Sequence, residues 1–156
     1  MSVLEGKEPQ KVWHYFEEIC KIPHGSGNVE GISNYLVSFA KEHNLSCIQD
    51  EMKNIIIKKP ACRGYEQEPA VILQGHMDMV AVKKPGAAID MEKDGLTLGV
   101  EGDFLYAKDT SLVGSIGDVF LCQFLYGSEN RVGTACAKCR MKREVVHQMS
   151  GDILYA

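Results

Sequence analysis

A chain of 156 residues, 45% of them hydrophobic and 24% charged, is long enough for one domain with a real core and too short for two comfortable ones. Its net charge of -4 argues against a nucleic-acid or anionic-membrane surface as the main partner. No apolar run approaches a membrane span, and the polar start from Met1 to Gln10 has no signal-peptide core, so the expected location is the cytoplasm.

Pro9 stands where a first-turn proline is tolerated, and Val12, Trp13, Phe16, Ile19 and Cys20 then recur at three and four residues. This spacing predicts an amphipathic helix of about three turns. Proline and two glycines break it at Ile22-Pro23-His24-Gly25-Ser26-Gly27-Asn28, a loop in which His24 is expected to face solvent, with approach to a site as the other reading. A second helix is predicted from Val29 to His43, with Ile32, Tyr35, Leu36, Phe39 and Ala40 on one face and Asn44 as its stop. Residues 45 to 49 read as a short strand. Residues 54 to 58, with three successive isoleucines, read as a better one. Two prolines and a glycine make 59 to 69 a surface loop.

The apolar run from Ala70 to Leu73 predicts a buried central strand that ends near Gly75 and is followed at once by His76-Met77-Asp78-Met79-Val80. Alternate side chains of an extended chain face the same way, so His76 and Asp78 should project together beyond the carboxyl end of that strand, where open α/β sheets keep their chemistry. A neutral imidazole is a good zinc ligand, and a nearby carboxylate can fix its tautomer, raise its basicity or add charge. His-x-Asp by itself is common, and the plain alternative is a surface-turn histidine beside a solvated aspartate.

After Val80 the chain becomes polar and turn-rich to Gly95. Residues 96 to 100 and 104 to 107 then flank Glu101-Gly102-Asp103 and predict an antiparallel hairpin. Gly117 to Tyr126 is apolar on nearly every side, which fits a buried helix or a buried strand equally. The stretch from 127 to 156 is basic and reads as a solvated tail whose structure the pattern leaves open, leaving 1 to 126 as the domain. Four of the six cysteines lie in or beside apolar stretches without regular spacing, as reduced core thiols do. Cys136 and Cys139 form the one CxxC. It lacks the second ligand pair of a structural zinc site and reads as two incidental thiols in a basic loop, with zinc or redox chemistry as the other reading.

Several blocks taken together closely resemble the start of the aminoacyl-histidine dipeptidases, also called Xaa-His dipeptidases or peptidase D, of the zinc aminoacylase and carboxypeptidase clan. They are Glu18 to Asn28, Tyr35 to Lys41, Gln49-Asp50-Glu51, Asn54 to Ile57 and Val71 to Val80 with its Gln-Gly-His-Met-Asp-Met-Val. The likeness weakens through Asp90 to Asp94, Val100 to Ala107 and Thr110-Ser111-Leu112, and the recognisable blocks stop there. The resemblance implies a mixed α/β catalytic sheet flanked by helices. It makes His76 a ligand to one of two zinc ions and Asp78 the catalytic carboxylate that supports it. It also implies hydrolysis of Xaa-His dipeptides by a metal-activated water whose proton passes to a glutamate.

The family pattern is not matched throughout. Ser115 occupies the position of the aspartate that bridges both metals, with Asp118 three residues on, and a hydroxyl is a poor substitute for a carboxylate between dications. Glu129 and Glu144 are isolated where the family has an adjacent glutamate pair, and His147 lies in no matching context. The expectation is therefore a partial zinc-peptidase-like α/β domain plus a hairpin, holding at most a partial zinc site, truncated relative to the family and weak or inactive as this chain alone. A truncated or frame-disrupted gene, in which residues from about Val113 on are not native family sequence, is the expected cause of the loss after Leu112. The alternative is a non-catalytic remnant or a homo-oligomerising interaction module, because half an α/β domain leaves sheet edges and apolar faces uncovered. Neither reading requires nucleic acid or membrane.

Overall fold

Helix α1 runs from Gln10 to Cys20 and begins directly after Pro9, whose carbonyl accepts the amides of Val12 (3.1 Å) and Trp13 (3.4 Å). The computed structural model describes residues 2–112 and the backbone of one later strand, residues 134–138. Phe16, Ile19 and Cys20 are buried in α1 as their spacing predicts, together with Tyr15; Val12 and Trp13 are half-buried at its edge. Helix α2, Glu30–Glu42, buries Ile32, Ser33, Leu36, Phe39 and Ala40. Glu30 in its first turn and Lys41 in its last complement the helix dipole, and Asn44 ends the segment in the left-handed region with φ 55°. The two helices meet where the rings of Tyr15 and Phe39 stack edge to face, their centroids 5.5 Å apart.

Four strands form the main sheet: β1 (Ser46–Gln49), β2 (Ile55–Lys58), β3 (Ile72–His76) and β6 (Thr134–Lys138), in the order β1-β2-β6-β3. β1 and β2 are antiparallel, β2 and β6 antiparallel, and β6 and β3 parallel, with Ile72 opposite Thr134 and His76 opposite Lys138. This is the mixed α/β sheet expected from the sequence. A separate antiparallel hairpin joins β4 (Leu98–Glu101) and β5 (Phe104–Ala107), again as expected. Helix α2 lies on β1 and β2, and the core runs between them through Ile32, Leu36, Ile55, Ile57, Met77 and Met79.

Two expectations are corrected. The strand expected from 70 to 74 starts and ends two residues later, and where a buried strand was expected β3 is only half-buried; among the described residues β6 is its sole neighbour. Val71, inside the expected strand but just before β3, is 48% exposed. The second concerns Cys136, which stands in β6 and not in a loop; β6 itself falls within the stretch whose structure the sequence left open. Cys139, Ser115, Asp118, Glu129, Glu144, His147 and the segment from Gly117 to Tyr126 lie outside the described residues.

Candidate functional site

Strand alternation continues past the end of β3. Met77 and Met79 are 0% and 5% exposed and point into the core, so His76 and Asp78 fall on the opposite face. His76 is the last residue of β3 and not beyond it, and Asp78 follows two residues on. Their side chains meet as predicted: His76 Nδ1 lies 2.7 Å from the Asp78 carbonyl oxygen and 3.2 Å from Asp78 Oδ1. A carbonyl can only accept, so Nδ1 carries the proton and the lone pair sits on Nε2, an atom through which neutral imidazoles bind metals. The His76 side chain is 60% exposed and that of Asp78 17%.

A second segment, the loop between α1 and α2, is pinned alongside. Met79 N–H donates to the His24 carbonyl (2.9 Å) and Ser26 N–H donates to the Met79 carbonyl (3.2 Å), which makes Gly25 and Met79 a parallel bridge. The approach is close enough to require glycine at 25, where a Cβ would stand 2.8 Å from the Ala81 Cβ. It brings the Ser26 hydroxyl to 2.6 Å from Asp78 Oδ2. The Ser26 hydroxyl is the main cause that holds the Asp78 carboxyl below its ordinary value. The His76 ring adds to it, and partial burial opposes both.

His24 overturns the expectation of a solvent-facing loop histidine: it is 1% exposed. Its Nδ1–H donates to the Ile22 carbonyl at 2.6 Å, and its buried Nε2 has no hydrogen-bond partner among the described residues. Burial pushes its pKa down, against the upward pull of the Ile22 bond and the Asp78 charge, so the ring is neutral at pH 7. Sequence reasoning missed this because proline and glycine signal a surface turn, while the segment this loop bonds to, at Met79, lies more than fifty positions away. Ser26 was legible only as a loop residue.

Beside Ser26 opens a cleft of about 910 Å³, lined by residues 25–28, 80–81 and 91–93. Asn28 braces it by donating its side-chain amide to the Glu92 carbonyl at 2.9 Å.

A catalytic zinc centre uses three protein ligands. Among the described residues no group of three or more His, Cys, Asp or Glu side chains forms. The tautomer of His76 and the carboxylate beside it suit a metal, but one imidazole and one carboxylate do not complete a centre, so the described residues do not by themselves fit a zinc ion. Among the same residues no helix is long and apolar enough to cross a membrane.

Comparison with known proteins places these features. No family model matches the chain. The cytosol non-specific dipeptidase of Escherichia coli is 35% identical over 148 residues, covering 94% of this chain and 28% of that protein. An alignment of this length continues past Leu112, where the recognisable motif blocks end. The crystal structure of an aminoacylhistidine dipeptidase from Vibrio alginolyticus superposes with a TM-score of 0.79 at 30% identity, covering 92% of this chain and 31% of that one. A tripeptidase from Staphylococcus aureus (TM-score 0.61, 18% identity, 82% of this chain and 35% of that one) shares the fold. The chain thus spans less than a third of the length of the curated relative it matches.

Proposed function

The chain is a relative of the aminoacyl-histidine dipeptidases over the N-terminal part of their length, and on that premise we propose that it carries the first half of a metal-dependent dipeptidase site. Dipeptides, Xaa-His among them, are the proposed substrates. In this reading His76 is one ligand of a zinc ion whose remaining donors lie outside the described residues. Asp78 holds the ring with its proton on Nδ1 and supplies negative charge beside it. The observation that carries the reading is the contact of His76 Nδ1 with both the carbonyl and the carboxylate of Asp78, on the face opposite the buried Met77 and Met79. The cleft beside Ser26 supports it, since its volume lies within the range of roughly 300–1,000 Å³ of small-molecule sites.

The test is a zinc titration of the purified chain and of His76→Ala by calorimetry, with hydrolysis of Xaa-His and other dipeptides followed in parallel. Zinc binding that is lost in His76→Ala, with dipeptide cleavage that follows zinc occupancy, supports the reading. Equal zinc affinity in the two proteins removes His76 from the site.

A second reading has its own observation. Among the described residues β3 is an edge strand; Val71 just before it is 48% exposed, and Val80 and Val82 beyond it are 73% and 57% exposed, although Ser111 already bonds the backbone of that later segment. Such an edge favours pairing with another chain, so self-association is proposed as the alternative role. Light scattering decides it: a monomer at all concentrations rules it out.

A further inference from the structure

We infer that Ser26 is a positioning residue for Asp78: its hydroxyl pins one carboxylate oxygen so that the other stays on the His76 ring. This inference rests on the reading of Asp78 as the site carboxylate. Two side chains donate to that carboxylate among the described residues, Ser26 to Oδ2 at 2.6 Å and His76 to Oδ1 at 3.2 Å. The shorter bond comes from Ser26, and a hydroxyl donating to an ionised carboxylate is among the stronger hydrogen bonds a protein makes.

The placement of Ser26 does not depend on Asp78. Its backbone is fixed by the Met79 bonds on either side of Gly25, and the absent side chain at 25 is what permits that proximity. Ser26 therefore acts as a rigid template against which the carboxylate is set. Asp78 shares that bridge through its neighbour Met79, and its carboxylate also accepts from its own backbone N–H, so Ser26 is the hold that reaches it from a second segment. Asp78 follows the last residue of β3 by two positions, and its ring partner is itself an exposed side chain. Ser26 is also exposed and fills no part of the core, so removing its hydroxyl leaves packing untouched.

The decisive experiment compares the full chain with Ser26→Ala and Ser26→Thr. Three-bond NMR couplings from Asp78 Cγ to the backbone nitrogen and carbonyl carbon read its χ1 rotamer without any metal present. One rotamer is expected in the parent and in Ser26→Thr, which keeps the hydroxyl, and averaged couplings are expected in Ser26→Ala. Zinc affinity should fall about tenfold in Ser26→Ala and return in Ser26→Thr, as for other groups that hold a ligand from behind. An unaveraged Asp78 rotamer in Ser26→Ala, or averaging that Ser26→Thr does not cure, overturns the inference. Failure of the parent chain to bind zinc counts against the metal reading alone, because the couplings still decide whether Ser26 sets Asp78.

Discussion

Gly25→Ala places a methyl group in the narrowest gap of the site. Its Cβ would lie 2.8 Å from that of Ala81, and the gap must open by about 0.6 Å to reach the 3.4 Å where ordinary contact begins. Neither group is the end of a long side chain, so the backbone of the loop or of residues 79–81 must move. The motion falls on the bond from Ser26 N–H to the Met79 carbonyl, which at 3.2 Å is already long and would pass beyond hydrogen-bonding range. Overpacking of this kind costs roughly 1–3 kcal/mol, and a lost backbone hydrogen bond about 1 kcal/mol more, giving about 2–4 kcal/mol in all. For a small domain with a urea m-value of about 2 kcal/mol/M, the unfolding midpoint should fall by about 1–2 M. The assay is equilibrium urea unfolding followed by tryptophan fluorescence, Trp13 being the single tryptophan. A midpoint within about 0.2 M of the parent would refute the close-approach argument, and with it the account of how Ser26 reaches Asp78.

Ile32, fully buried on the inner face of α2, should cost about 2–5 kcal/mol as Ile32→Ala, seen as a drop in Tm of about 5–15 °C. His76→Ala removes a side chain that is 60% exposed, so stability should stay within about 0.5 kcal/mol of the parent while zinc affinity falls; a large loss of Tm would mean that the ring has a packing role. Burial, with the nearby Glu17 charge adding to it, pushes the Cys20 thiol up to about 12 from 9.0. The folded chain therefore keeps this proton where the unfolded chain loses it. The contribution is complete below pH 9 and is lost as pH rises from there toward 12, so urea midpoints should decline across that interval. For the same reason iodoacetamide at pH 8 should leave Cys20 unmodified in the folded chain and label it once guanidinium unfolds the protein.

What the sequence made legible was what short-range periodicity encodes. The faces of α1 and α2, the isoleucine strand β2 and the hairpin around Gly102 each follow from residues within one turn or one strand, and each appears where expected. The parity of His76 and Asp78 was legible for the same reason, since it needs only an extended backbone. The place of β3 beside β6 was not, because β6 is Thr-Ala-Cys-Ala-Lys, with a single β-branched residue and no alternating pattern to mark a strand. His24 and Ser26 were misread or passed over because their partners stand 52 positions away or more: Asp78 for Ser26, Met79 for the His24 carbonyl. Composition says that a Pro-Gly-Ser-Gly loop turns; it does not say against what.

The insertion of β6 between β2 and β3 governs the order in which this chain can acquire its structure during synthesis. Both helices, β1 and β2 emerge from the ribosome early and can pair locally. β3, which ends at His76, has no described sheet partner until the chain has been made through Lys138. The sheet therefore closes through a contact of long sequence separation, the kind that is slow to form and leaves a strand edge bare in the interval. His76, the last residue of that edge, reaches its sheet register only at closure, so a nascent chain holds the paired helices before it holds an ordered histidine.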